Sequence, residues 1–180
     1  MRIIAGLAKG RRLLAPRTAD TRPMTDRARE GVFSSLGTWV PGARVLDLYA
    51  GSGSLGLEAL SRGAESAVFV ERGRAALAAL RANVAAVGLG GRVIAGDVAA
   101  YLSQAAEEFD LAFVDPPYAV PLASVEQILG GLMPLLAAGG IVVLHRRAGE
   151  GLTPPPGLGV DDRRRYGDSE MTRLVKGEAV

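Results

Sequence analysis

The 180-residue sequence has no cysteine and a single histidine, His145. Without cysteine there is no disulfide scaffold, no thiolate metal site and no thiol nucleophile. One histidine excludes a multi-histidine centre, so no metal is expected, and a lone histidine closing a predicted strand is taken as structural and given no role. No apolar run approaches the roughly 20 residues of a membrane span. The start, MRIIAGLAKGRR, lacks the unbroken apolar core and small-residue cleavage site of a signal peptide. A cytoplasmic protein with no membrane partner is therefore expected. Lysine is scarce too, with only Lys9 and Lys176, so positive charge rests on arginine. What is present, 48% hydrophobic and 22% charged residues, suits one folded domain with a small appendage.

Charge is unevenly spread. The formal net charge is +2, but residues 1–29 hold eight basic groups against Asp20 and Asp26, while the rest holds 13 basic against 17 acidic. A basic arm on a mildly acidic body points to a polyanionic partner gripped at one end. Arg11, Arg12, Arg17, Arg22, Arg27 and Arg29 are the candidate contacts. A solvated arginine-rich tail is the competing reading.

Apolar runs bounded by turn residues, at 43–49, 66–70, 92–95, 111–114 and 141–144, have the length and β-branched content of buried parallel strands. Between them Leu77, Leu80, Val84 and Val87, then Leu122, Val125, Leu129, Leu132 and Leu136, recur with helical spacing, and Pro134 should kink or restart the second helix. Alternating strands and helices predict a doubly wound, mostly parallel α/β sheet. Residues 1–20 suggest short extended segments broken at Gly6, Gly10 and Pro16; 25–36 suggest a helix with Thr25 as N-cap. Residues 149–159 form a loop, and 160–166 with 171–176 an antiparallel hairpin turning near Gly167-Asp168. The expected division is a basic extension, 1–36, packed on a domain of 37–180.

The first motif is Asp47-Leu48-Tyr49-Ala50-Gly51-Ser52-Gly53-Ser54-Leu55-Gly56, between a strand and a helix. That context makes a glycine loop meaningful as a nucleoside-ligand cradle. Glu71, twenty residues after Gly51, ends the second strand, where an acid accepts from ribose hydroxyls. Asp47 at the loop's mouth would repel a pyrophosphate but suits the sulfonium and ammonium of S-adenosylmethionine. Asp97, after the third strand, can accept from an adenine amine or simply cap the next helix. The candidate cofactor set is Asp47, Tyr49, Ala50, Gly51, Ser52, Gly53, Glu71, Asp97 and Val98.

The second motif is Asp115-Pro116-Pro117-Tyr118, directly after the fourth strand. Strand carboxyl ends line the ligand crevice of such a sheet, so this loop faces the same crevice. Two prolines stiffen the backbone and remove two donors, leaving the Asp115 carboxylate and the Pro116 carbonyl as a rim of acceptors for an exocyclic amine. Tyr118 offers a face on which a flipped base can stack. Such a rim serves a nucleic-acid amine, on RNA or on a DNA adenine, and equally a protein glutamine amide. A nucleotide-binding module or ribosome-assembly factor without catalysis is the alternative from another class.

Together these residues resemble a family. The sequence is similar to the bacterial 16S ribosomal RNA (guanine-966-N2)-methyltransferases of the RsmD type, nearly end to end. The likeness includes Met1–Gly6 with Arg11 and Leu13, Arg22–Glu30, Asp47–Ala64, Glu71, Asp97, Asp115–Tyr118 and Arg165–Asp168. Where the family usually has RPT and then DRVRE, this chain departs at Met24 and Ala28. The resemblance implies a Rossmann-like class I methyltransferase fold and S-adenosylmethionine as cofactor. It implies Asp115, Pro116, Pro117 and Tyr118 as the target-amine site, and the basic arm on RNA. The partner would be 16S rRNA in the 30S subunit or its precursor, with ribosomal proteins nearby and the enzyme a monomer. Arg29 falls inside the apolar arc of Ala28, Val32, Phe33 and Leu36, so it is expected, with Thr25, to face the cofactor carboxylate or the active-site acids.

Overall fold

The structure, a computed structural model, describes residues 1–16 and 24–177. Arg17 and Arg22 of the basic arm lie outside the described residues. Seven strands form one sheet: β1 (Arg44–Leu48), β2 (Ser66–Glu71), β3 (Arg92–Ala95), β4 (Phe109–Val114), β5 (Leu136–Arg147), β6 (Leu158–Tyr166) and β7 (Ser169–Lys176). Their order is β3-β2-β1-β4-β5-β7-β6. The first five are parallel to one another; β7 runs antiparallel between β5 and β6. The sheet is thus mostly parallel with a C-terminal hairpin at one edge, a Rossmann-like arrangement.

Among the described residues five α-helices cover it: α1 (Asp26–Leu36), α2 (Ser54–Ser61), α3 (Arg74–Val87), α4 (Val98–Gln104) and α5 (Leu122–Leu132). Strand residues alternate between two cores, as the two-residue period of a strand requires. Val45, Phe69, Leu111, Phe113 and Val143 join α1, α2 and α3; Leu46, Val70, Ala112, Val114 and Leu144 join α4 and α5. The central strands β1, β2, β4 and β5 are therefore buried on both faces, which is why they read as continuous apolar runs. None of the described helices is long and apolar enough to cross a membrane.

Several local expectations met their physical causes. Thr25 Oγ1 accepts from Ala28 N at 3.2 Å and caps α1. Pro134 ends α5 in a short 3-10 turn, Met133–Leu135, after which Leu136 already begins β5. That strand runs to 12 residues, well past 141–144: Leu136 pairs with Phe109, residues 137–140 bulge where the register with β4 shifts, and pairing resumes at Ile141 and runs on to Arg147 against β7.

The N-terminal segment folds back on itself. Ile3 N donates to Arg11 O (2.9 Å) and Leu13 N to Met1 O (3.0 Å). The loop so formed sits on the end of α2. The fully buried Glu58 carboxylate accepts from Ile4 N and Ala5 N at 2.7 and 3.0 Å, and Leu7 N donates to Ser61 O at 2.7 Å. Only glycine fits at position 6. Its φ is +81°, and a Cβ there would lie 1.7 Å from the Ser61 carbonyl oxygen. Ile3, Ala8, Leu13, Met24 and α1 share one apolar core with the sheet.

Candidate active site

The carboxyl ends of β2, β1, β4 and β5 lie side by side, so Glu71, the glycine loop, Asp115 and His145 meet at one edge. Glu71 organises the first of them through backbone amides. Its Oε2 accepts from Gly51 N at 2.8 Å, and its Oε1 from Arg72 N and Gly73 N at 2.9 and 2.7 Å. The loop then turns through Tyr49 (φ +59°), Gly51 (φ +57°) and Gly53 (φ +80°). Tyr49 is the one non-glycine residue with positive φ among those described. An L residue there costs on the order of 1–2 kcal/mol, strain that is typically stored beside ligand sites. Gly53 needs its lack of a side chain as well, since a Cβ would sit 2.5 Å from Leu80 Cδ1.

Asp47 is not in the mouth of the loop. It lies beneath it, 1% exposed, with Oδ2 accepting from Gly56 N at 2.9 Å. Gly53 supplies no capping side chain to α2, so a carboxylate from β1 satisfies an amide of its first turn. Burial raises the Asp47 carboxyl well above the usual range; the Gly56 bond opposes this, and the charges of Asp115 and Glu71 add to it. Ala50 and Ser52 are buried in the loop, and Val98 is buried under α4. Asp97 takes the helix-cap role: its Oδ1 accepts from Ala99 N and Ala100 N, and its Oδ2 meets the Arg72 guanidinium at 3.2 Å.

The Asp115–Tyr118 loop is held by three consecutive residues of β5, of which the sequence marks His145 only as structural and does not single out Arg146 or Arg147. His145 Nδ1 lies 2.8 Å from Asp115 Oδ1. The buried Arg146 donates to the carbonyls of Pro117 and Val120 at 3.1 and 3.0 Å while pairing with Glu150 at 2.7 Å. The Arg147 guanidinium stands 4.9 Å from the centre of the Tyr118 ring. Burial and the Asp115 charge raise the Tyr118 phenol, so the ring is neutral at ordinary pH. Pro116 is buried and Pro117 exposed. A rigid, acceptor-rich loop thus stands beside an acid-lined glycine loop. Such a site can hold a cationic nucleoside and orient an amine against it.

The arginine assignments divide. Arg12 and Arg27 are exposed; Arg11 is exposed too, with one guanidinium nitrogen on the Ala86 carbonyl. Arg29 is a correction. It is fully buried, donating to the Arg2 carbonyl and pairing with Asp26 at 3.0 Å. It cannot grip a phosphate, and it meets the N-terminal segment rather than the cofactor loop; Thr25 is spent as the α1 cap. Its apolar surroundings lower its pKa. A second basic group went unrecognised. Arg163, Arg164 and Arg165 are exposed on the edge strand β6, on the rungs that lead through Thr172, Met171 and Glu170 of β7 to Leu144, His145 and Arg146. Among the described residues no cluster of three or more His, Asp or Glu side chains could hold a metal ion.

The model of the family described as Conserved hypothetical protein 95 matches residues 1–175. The chain belongs to this family. YlbH of Bacillus subtilis (strain 168) is 42% identical over 123 residues, and the Ribosomal RNA small subunit methyltransferase D of Escherichia coli (strain K12) is 42% identical over 119. Each alignment takes in 66% of this chain, and they span 67% and 60% of those relatives' own lengths. The solved structure of yhhF from Escherichia coli superposes with a TM-score of 0.89 at 33% identity, covering 99% of both chains. The RsmD-like character read from the motifs therefore holds along nearly the whole chain, and the fold is that of a methyltransferase.

Proposed function

We propose that this RsmD-like protein transfers a methyl group from S-adenosylmethionine to the exocyclic N2 amine of a guanine in 16S rRNA. The observation that carries the reading is the meeting, at one sheet edge, of an acid-lined glycine loop with the Asp115–Tyr118 acceptor loop. The acids fit this cofactor. Glu71 and Asp115 lie close enough for their charges to add to the burial that raises the Asp47 carboxyl, so the site is acidic and favours a cation over a pyrophosphate. S-adenosylmethionine, when bound, supplies an electrophilic methyl on a sulfonium. The residues that would hold it are Asp47, Tyr49, Ala50, Gly51, Ser52, Gly53, Glu71, Asp97 and Val98.

The chain's own residues orient the amine. The Asp115 carboxylate and the Pro116 carbonyl accept its two hydrogens, which draws lone-pair density toward the methyl. Tyr118 stacks on the extruded base. The amine sheds its proton after transfer, so no strong base is required, and rate comes from positioning and fixed charge. RNA is favoured over DNA or protein by the basic N-terminal arm, by the arginines of β6 and by the name of the Escherichia coli relative. The small subunit or its precursor, with ribosomal proteins beside it, is the setting we propose.

The test supplies labelled S-adenosylmethionine with naked 16S RNA, 30S particles, DNA and protein, and identifies the modified residue by mass spectrometry. N2-methylguanosine in 16S RNA is expected. Label on adenine or glutamine alone would replace this reading with another amino-methyltransferase.

A further inference from the structure

His145 is the only histidine in the chain, and it is buried against the carboxylate proposed to receive the target amine. Its side chain is 9% exposed, and its Nδ1 lies 2.8 Å from Asp115 Oδ1. The placement follows from the sheet. β4 and β5 are paired through Val114 and Leu144, so Asp115 and His145 occupy the next rung together, where β4 becomes loop. Asp115 N reaches back only weakly, 3.4 Å from Leu48 O. The imidazole is the hydrogen-bond partner found for the carboxylate itself among the described residues. Met171 faces His145 from β7, and the Tyr118 ring stands 6.0 Å away at 56°.

An ionised carboxylate has only acceptor sites, so the contact requires the hydrogen on Nδ1. With Oδ1 bound to the imidazole, rotation of the Asp115 carboxylate is restrained and Oδ2 is left for a second donor. We propose that His145 is a positioning residue that fixes Asp115 so that its second oxygen meets a hydrogen of the target amine. This rests on the reading of Asp115 as the amine acceptor in methyl transfer. No proton passes to or from the imidazole in this role, and His145 touches neither substrate.

The experiment compares His145→Leu with His145→Asn. Leucine fills the space without a donor; the asparagine amide places an N–H near the position of Nδ1. His145→Leu should lower kcat by about 10²-fold, the effect of misplacing a reacting group by about an ångström, with KM for cofactor and RNA near wild type. His145→Asn should recover most of kcat. Wild-type kcat in His145→Leu overturns the proposal, as does an asparagine variant no faster than the leucine one. Calorimetric binding of S-adenosylmethionine checks that both variants are folded.

A second measurement needs no variant of His145. Because the chain has one histidine, ¹⁵N-histidine labelling gives a single imidazole in the NMR spectrum of the intact protein. Its pattern should report hydrogen on Nδ1 and should change in Asp115→Asn. A bare Nδ1, or no response to Asp115→Asn, overturns the contact itself. A wild-type protein that methylates none of the substrates overturns the functional reading instead, and the spectrum is then the sole judge of the contact.

Discussion

The Arg146 guanidinium holds the Pro117 carbonyl at 3.1 Å, so the tail of β5 sets the position of a loop that belongs to β4. The same group spans Val120 and Glu150, and its side chain is only 7% exposed. A lysine cannot make this fork. Arg146→Lys should therefore cost about 1–3 kcal/mol of stability, the penalty of leaving buried acceptors unpaired, and should also lower kcat. Thermal unfolding and steady-state methyl transfer measure the two effects. A variant with normal stability but slow turnover would assign Arg146 to the loop's alignment alone.

Within the acceptor loop the two side chains should fail differently. Asp115→Ala is expected to keep cofactor binding and lose about 10²-fold or more in kcat, as for removal of an oriented polar group at a reacting centre. Tyr118→Phe keeps both the stacking face and the contact with Arg147, so it should be nearly silent. Tyr118→Ala should lose about 1–3 kcal/mol of base stacking. Kinetics at saturating cofactor on 30S particles separate them, and a large defect in Tyr118→Phe would transfer the role from ring to hydroxyl.

Asp47 sets function against stability. Its folded-state pKa is raised, mainly by burial, so the folded state holds its proton more tightly than the unfolded chain does. The stability this contributes is full below the unfolded pKa and is lost as pH rises through the raised folded value. Asp47→Asn keeps an acceptor for Gly56 N and carries no charge. At neutral pH it should be at least as stable as wild type, with the advantage vanishing in acid, yet it should bind S-adenosylmethionine more weakly. Denaturant titrations across pH, with calorimetry alongside, check both signs.

Glu71 has a separate signature. Its carboxylate holds Gly51 N and is proposed to receive the ribose. Glu71→Ala should weaken cofactor binding by about 1–3 kcal/mol, the range for lost hydrogen bonds to a charged group. Glu71→Gln, which retains one carbonyl acceptor, should do so less. Calorimetry with S-adenosylmethionine gives the order, and equal affinities in all three proteins would detach Glu71 from the cofactor.

Salt dependence distinguishes the arginines. Each phosphate contact removed should reduce the log–log slope of RNA binding by roughly 0.7–0.9. Neutralising Arg11 with Arg12, or Arg163 with Arg165, should lower affinity and slope without changing cofactor affinity. Arg29→Ala should instead lower the melting temperature and leave the slope of the remaining folded protein unchanged, because the buried guanidinium touches no solvent. Filter binding across a salt series measures this.

The sheet was legible because its central parallel strands are buried on both sides and so announce themselves as apolar runs. β5 was read short because Gly139 and Gly140 fall in a bulge that interrupts its pairing between Leu136 and Ile141. The loops Asp47–Gly56 and Asp115–Tyr118 were legible because each concentrates its chemistry in adjacent residues. His145 and Arg146 were not, since their partners lie 30 and 29 residues away and only strand order brings them together. Arg29 shows the same limit from the other side. Helical spacing showed that it is buried, and Asp26 lies within pairing reach three residues earlier, but its other partner is a backbone carbonyl at Arg2, which no side-chain pattern can mark.

One edge of the sheet is β6, whose exposed or half-buried charges run Asp161, Asp162, Arg163, Arg164, Arg165. An open row of backbone donors and acceptors invites another chain to add a strand, and a line of charges is how such an edge is kept single. The same arginines thus guard against self-association at high concentration. Alanine at these positions would bare the edge while lowering charge, so turbidity could be mistaken for lost affinity. Glutamine or glutamate in their place keeps the edge solvated and lets the two roles be measured apart.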